Sequence, residues 1–346
     1  MNTILTFLCK NQRRLALQAW GDPARWSCVL ATPRFRASSH VIFFILPENG
    51  KHPILIAKVP RLPGDHSRLE REMKNLQAGF HARPGGFDSI PRVITFEEYG
   101  GHQMLIETAV SGQPMKPAFV RRQPGLALEA TVSWLLEFHR ATAQHAANAQ
   151  NSFIALVEEP IARLRDLLPA APEEENLLQR TLAVLQPLRT LALPCVLAHE
   201  DLSHPNILIS AAGQVGVVDW ELAEPRGYPV LDLFFFLNYI AFARRGASKD
   251  HEYLSAFQEA FFGAAAWTRP YVVRYQKELD LPRAALPPLF VLCWLRYLAG
   301  LAARLHDGQG GHEKLPRETL HWLRGNRYYL LWRHALEHVQ ELNFAD

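Results

Sequence analysis

The chain has 346 residues, 48% of them apolar, and a formal charge of +3 from 37 Lys and Arg against 34 Asp and Glu. That is enough material for one large domain or two modest ones with real cores. The near-balanced charge contains no basic block that would track a phosphate backbone, so nucleic acid is excluded as an expected partner.

The opening MNTILTFLCKNQRR has no positive segment ahead of a long apolar core and no small-residue cleavage site. No signal peptide is expected, and the protein is read as cytoplasmic. Residues 1–26 form a helical or irregular extension. From Ser27 to about Thr108 the runs SCVLAT, VIFFIL, PILIAKV, RVITFEE and QMLIET predict five antiparallel strands. Asn49-Gly50 predicts a tight hairpin between the second and third, and Gly100-Gly101 another between the fourth and fifth. One helix interrupts them, Asp65 to about Phe80, with Leu69, Met73, Leu76 and Phe80 at helical spacing.

After Ser111-Gly112-Gln113-Pro114 the apolar period changes to that of helices. The chain is therefore divided into residues 1–108 and 109–346, joined by a connector over about 107–117. Helices are expected over 126–144, 152–168 with a break at Pro160, 173–186, 230–243, 254–262, 286–305 and 317–342. The longest apolar stretch, Val230 to Ala243, is interrupted by Asp232 and Asn238 and falls short of the roughly 20 residues a spanning helix needs, so no membrane partner is expected. The aromatic segments Trp294–Tyr297 and Trp322–Trp332 are read as helix core rather than a ligand cage. Cys9, Cys28, Cys195 and Cys293 are far apart and fit reduced, mostly packed thiols.

One β-rich island, NILIS-AAGQ-VGVVD, interrupts the helices. His199-Glu200-Asp201-Leu202-Ser203-His204-Pro205-Asn206 precedes it, and Asp219-Trp220-Glu221 closes it. A divalent cation that bridges phosphate oxygens wants hard oxygen ligands, and Asn206 and Asp219 supply them. A hairpin brings both to one edge despite 13 residues of separation. Asp201, five residues before Asn206, is placed to take or orient the proton of an incoming hydroxyl. A zinc cluster of Cys195, His199, Asp201 and His204 is disfavoured, because the histidine spacing does not put both on one helical face. Neither G-x-S-x-G nor a P-loop occurs, and GQGGH at Gly308 lacks the strand and helix a dinucleotide fingerprint requires.

The spacing H-x-D-x(4)-N followed by a strand and D-W resembles the catalytic and metal loops of protein-kinase-like enzymes. VLAHEDLSHPNILIS…VGVVDWELAEPRGYPVLDL is similar to the signature of the aminoglycoside phosphotransferase and choline kinase superfamily. The resemblance covers about Ser27 to Leu237. It implies an α+β, two-lobed protein-kinase-like fold, with a small antiparallel sheet lobe and a larger helical lobe that holds the catalytic and metal loops. It also implies a kinase that uses ATP and Mg2+ to phosphorylate a hydroxyl of a small molecule, an amino sugar, sugar or amino alcohol. By the resemblance Asp201 is the catalytic base, Asn206 and Asp219 hold magnesium, and Asp232 supports the catalytic region from its helix. Lys58 contacts the nucleotide phosphates, with Glu72 as its helix partner and Glu70 the less favoured choice. Arg34 to His40, with Ser38 and Ser39, covers the nucleotide, and Glu107 to Gly112 is the connector that receives adenine. His199 is read as a packed histidine supporting the loop. Glu221 either helps with a second metal or faces the acceptor. Glu200 stands where the superfamily usually has glycine, and the loop Arg34 to His40 contains no glycine; both keep open a catalytically silent nucleotide-binding or scaffold protein. A cationic acceptor would need acids in the helical part, where Glu221, Glu224 and Asp232 are the candidates. A protein substrate is disfavoured, because only about 12 residues separate Asp219 from the next helix, too few for an extended activation segment.

Overall fold

A computed structural model describes residues 3–32, 40–62, 64–145, 148–168, 171–307 and 314–344. The expected nucleotide loop with Ser38 and Ser39, and the GQGGH stretch, lie outside the described residues. The chain forms two compact units: Met1–Pro114 with Pro205–Ala223, and Met115–His204 with Glu224–Asp346.

The first unit contains α1 (Thr3–Lys10), β1 (Ser27–Ala31), β2 (His40–Leu46), β3 (Leu55–Pro60), α2 (Ser67–His81), β4 (Val93–Tyr99), β5 (His102–Thr108) and the short β6 (Gln113–Pro114). Strands β1 to β5 make one antiparallel sheet in the order β1-β2-β3-β5-β4. The β4–β5 turn is as tight as expected: Gly100 and Gly101 take φ of 62° and 79°, a left-handed pair that side chains resist. The β2–β3 connection is longer than the tight hairpin expected. There only Asn49 is left-handed, at φ 56°, and β3 resumes at Leu55. Pro47 and Pro53 flank it, and neither can donate to a ladder. Ile4, Phe7 and Leu8 of α1 pack with Leu17 and Trp26 on Ile45, Leu55, Ala57, Met104 and Ile106. The amino-terminal extension thereby buries one face of the sheet.

The β island forms a hairpin, Ile207–Ile209 against Val215–Val217, closed by a turn with Gly213 at φ 78°. Ile209 pairs with Gln113 and Leu208 with Pro114, so this hairpin forms a small sheet with β6. Pro205–Ala223 belongs to the first unit, whereas its sequence pattern assigns it with 109–346; besides that pairing, the Val217 amide donates to Ser89 O at 2.7 Å. Gly216 has no alternative here, since a Cβ would lie 2.3 Å from Val110 Cγ1.

The second unit is mostly helical, and it also contains three short strands that the sequence reading did not identify: Gln144–His145, Pro194–Ala198 and Glu224–Gly227. Helix Leu231–Arg245 is buried nearly all round and stops at Gly246, φ 67°, whose amide and that of Ala247 cap Ala243 O and Phe242 O. Phe234, Phe257, Phe261, Phe290 and Trp294 form its aromatic core, with the Phe234 and Phe290 rings 5.0 Å apart and edge-on. The break expected at Pro160 is a π turn over Ile154–Glu158 that leads into helix Glu159–Leu167. The single helix expected over 317–342 is two, Arg317–Arg324 and Arg327–Glu337, because Asn326 caps the Tyr328 amide after Gly325. Trp294 and Trp332 are core residues as expected, but Trp322 is exposed. Helix Leu286–Asp307 is long and apolar enough to cross a membrane, yet 72% of its apolar window is buried within the fold. All four cysteines are free thiols.

Candidate active site

In the first unit the site is built around Lys58, whose side chain is almost fully buried on β3. Its Nζ donates to Glu72 Oε1 of α2 at 2.5 Å and lies 3.3 Å from Glu107 Oε1 on β5 and 3.8 Å from Asp219 Oδ1. Glu72 faces inward because it shares a helix face with Leu69 and Leu76, both buried. Glu70 lies on the exposed face and pairs with Lys74. Glu107, placed at the adenine connector by the sequence reading, is instead a strand residue paired with Ile56, and its carboxyl turns to Lys58.

Three carboxyls share this one ammonium. Burial pulls Lys58 down, but Glu107, Glu72 and Asp219 together outweigh it and hold the amine well above its usual range. Burial also pushes Glu72 up, and it pushes Glu107 up to about 8 against the pull of Lys58. Glu107 therefore binds a proton more readily than an exposed glutamate does. Glu72 Oε2, Glu107 Oε2 and Asp219 Oδ1 are buried without a hydrogen-bond partner, a costly state that marks a place for a further positive group.

The island hairpin holds the other residues of this unit. One hydrogen bond beyond its ladder, the Val218 amide donates to Asn206 O at 3.0 Å, which brings the Asn206 and Asp219 ends of the hairpin together. Asp219 takes φ 71°, unusual for a side-chain-bearing residue. The next residue is clamped to α2: the Trp220 amide donates to Glu72 Oε1 at 3.0 Å, and Asn75 Nδ2 donates to Trp220 O and Ala223 O. Glu72 thus ties the Lys58 strand and the Asp219 loop into one rigid group. An amide oxygen at Asn206 and an orphaned carboxylate oxygen at Asp219 are the hard donors that a divalent cation prefers, so these residues fit magnesium.

The second unit holds the loop with Asp201. Its anchor is Asp232 in the first turn of helix Leu231–Arg245, where the carboxylate accepts from the His199 amide at 2.6 Å and the Glu200 amide at 2.8 Å. His139 Nε2 lies 3.3 Å from the same carboxylate, and His139 Nδ1 is 2.5 Å from Tyr275 Oη, which accepts from the Val230 amide. Burial opposes ionisation of Asp232, but His139, His199 and the backbone amides prevail and hold its carboxyl below the usual range. The Asp201 amide donates to His199 Nδ1 at 3.2 Å, so His199 is buried and supports the loop through its ring.

Residues 36–271 match the family model APH, the phosphotransferase enzyme family. The chain belongs to that family. Among solved structures, this phosphotransferase-family chain resembles choline kinase LicA from Streptococcus pneumoniae, with TM-score 0.55 and 12% identity over 96% of this chain and 97% of that one. It also resembles a thermostable mutant of aminoglycoside phosphotransferase APH(4)-Ia in ternary complex with AMP-PNP and hygromycin B, with TM-score 0.55 and 15% identity over 93% and 98% of the two chains. A third is wild-type aminoglycoside 2'-phosphotransferase-IIIa in its GDP complex, with TM-score 0.51 and 14% identity over 98% and 99%. At these identities the likeness is one of fold, α+β and kinase-like. Comparison with curated proteins by sequence found no match.

Two features of this phosphotransferase-family chain escaped the sequence reading. Glu200 adopts φ 64°, the left-handed conformation that suits the glycine usual at this place. Arg296 stabilises it there: Nη2 and Nε donate to Glu200 Oε1 at 3.0 and 3.2 Å, and Nη1 donates to Leu156 O in the π turn. Arg296 lies 96 residues away in sequence, so no local pattern announces the pair.

The second feature is His40 at the start of β2, whose Nδ1 lies 3.4 Å from Glu221 Oε2, while Arg68 Nη1 lies 3.9 Å from Glu221 Oε1. Among the described residues, His40, Asp219 and Glu221 are the group of potential metal-ligand side chains that converge, within 4.8 Å. Burial pushes the Glu221 carboxyl up, but His40, Arg68 and Lys58 overcome this and hold it at about 2. Because the folded value lies below the ordinary one near 4.5, Glu221 contributes stability that is fully present above that pH and lost as pH falls toward 2. Glu221→Gln is therefore expected to lose on the order of 3 kcal/mol at neutral pH, with the gap to wild type closing as pH falls toward 2. Urea unfolding at a series of pH values measures it. A gap that does not change with pH would assign the loss to packing instead.

Proposed function

We propose that the protein is an ATP- and magnesium-dependent phosphotransferase that moves the γ-phosphoryl group to a hydroxyl of a small molecule. The observation that carries this reading is the Lys58–Glu72–Asp219 group, with an orphaned Asp219 oxygen, in a member of the phosphotransferase family. Its charges fit a metal-bound nucleoside triphosphate.

Lys58 holds phosphate oxygens as a point charge, and Glu72 fixes the direction in which its ammonium points. Asn206 and Asp219 would hold magnesium, which when bound neutralises phosphate charge. Asp201 accepts the proton of the acceptor hydroxyl as the hydroxyl oxygen bonds to the γ-phosphorus. The bond between that phosphorus and the β,γ-bridging oxygen breaks, and ADP leaves with the electron pair. Asp232 and His199 are positioning residues, fixing the backbone on either side of Glu200.

Two sequence features kept a silent scaffold protein in view, the glycine-free loop Arg34 to His40 and Glu200 in place of glycine. The strained Glu200 backbone is compensated by the Arg296 pair, which weakens the second of these arguments against catalysis. Asp219→Ala is expected to weaken magnesium-dependent ATP binding by about tenfold or more, while magnesium-free binding changes little. Calorimetric titration with ATP, with and without magnesium, measures both. Equal affinities with magnesium in mutant and wild type would remove Asp219 from the metal role.

A further inference from the structure

A cavity of about 300 Å³ opens within the second unit, lined by Ser203 and His204, two and three residues after Asp201 in the chain, and by helix Leu231–Arg245. Tyr328 on its wall feels the charge of Asp201, so the cavity lies beside the proposed base. Its size suits a small metabolite.

Its chemistry is distinctive. Arg121 and Arg327 line it, and among the described residues no aspartate or glutamate does. Among the described residues neither arginine is paired with a carboxylate; Arg121 donates to Ala243 O and Arg327 to Tyr328 Oη. The three acids considered for a cationic acceptor do not line it: Asp232 holds the loop amides and His139, Glu221 lies with His40 and Arg68 in the first unit, and Glu224 accepts from the Arg226 amide. Three of the five aromatic rings on its wall are already covered by a cation, since the Arg327 guanidinium lies 4.9 Å from the Tyr253 and Tyr328 ring centres and 5.7 Å from that of Phe242. His204 adds no negative charge; burial and the nearby Lys116 lower its basicity. Asn238, only 2% exposed, adds a neutral polar side chain to the wall.

We infer that this cavity is the acceptor site and that its substrate class is a hydroxylated small molecule carrying a carboxylate or phosphate group, not an amino sugar or amino alcohol. The acid pairs with Arg327 and Arg121, the hydroxyl is the one the proposed phosphotransfer requires, and a polycation is repelled by two guanidinium groups that have no carboxylate paired with them. The inference rests on the phosphotransferase reading for the word acceptor, but its binding claim stands apart from turnover.

The test titrates the full chain, with a non-hydrolysable ATP analogue and magnesium present, with four ligands on one ring: glucuronate, glucose 6-phosphate, glucose and glucosamine. Either acid is expected to bind about tenfold or more tightly than glucosamine, and which acid does so separates a carboxylate site from a phosphate site. Arg327→Gln should remove the preference, Arg327→Lys should keep part of it, and Arg121→Gln, at an exposed position, should reduce it without risk to the fold. Glucosamine binding as tightly as both acids, acid binding indifferent to both arginine variants, or no binding by any of the four overturns the inference. ATP consumption separates the two readings. Acid binding without consumption counts against the phosphotransferase reading and leaves the binding claim standing, whereas consumption with glucosamine alone does the reverse.

Discussion

Asp201→Ala is expected to cut acceptor-dependent ATP turnover by about 10²–10⁴-fold while ATP affinity stays nearly unchanged. The division of the chain is the reason for expecting these two effects to separate. Lys58, Glu72, Asn206 and Asp219 all belong to the first unit, and the interactions among them involve no residue of the second. Asp201 belongs to the second unit, held by its amide to His199 Nδ1. Removing its carboxyl takes away the proton acceptor and leaves the phosphate-holding group as it was. Single-turnover ATP consumption and equilibrium ATP binding, measured on the same protein, check both halves. An unchanged rate removes Asp201 from the role of base; a parallel loss of binding makes it part of the nucleotide site.

Lys58→Met carries the largest expected cost in stability. It leaves Glu72 and Glu107 fully buried with no cation, and removing one partner of such a group typically costs about 3–5 kcal/mol. The loss has a pH signature. Burial already raises Glu107 to about 8 and raises Glu72, and without Lys58 both rise further. Carboxyls whose folded value exceeds the unfolded one near 4.5 bind protons on folding, so the variant should lose stability as pH rises through the neutral range. Denaturant unfolding of variant and wild type at pH values from about 5 to 8 tests this. A penalty that does not grow with pH would show that the two carboxyls are not charged at the expense of folding.

The parts of the site that could be read from the sequence are those encoded in local period and order. Five strand-like runs and one helix give the first sheet with its helix, and Lys58 falls on the third strand with Glu72 on the helix face shared by Leu69 and Leu76. The island hairpin is local too, so the ends that carry Asn206 and Asp219 were expected at one edge. What escaped depends on distant partners. The Arg296–Glu200 pair joins residues 96 apart, and the charge sharing of Glu107 arises only once β3 and β5 align Ile56 with Glu107 and place Lys58 beside it. Strand Glu224–Gly227 contains Pro and Gly and no β-branched residue, so its pairing with Pro194–Ala198 left no pattern to detect. The split at Gly325-Asn326 was legible, since Gly and Asn are helix stop and start residues, but the helical period on both sides masked it. The place of the hairpin in the first unit also depends on distant partners: the two residues of β6, Ser89 O and the α2 side chains of Glu72 and Asn75.

The most direct test of the account is ATP consumption by the purified protein, with magnesium, against a panel of hydroxylated acids, neutral sugars, amino sugars and amino alcohols. The account predicts ADP formed in proportion to one acceptor class, abolished by chelating the metal and by Asp201→Ala. ATP bound with magnesium but never consumed with any member of the panel would contradict it and leave a nucleotide-binding protein with a phosphotransferase fold.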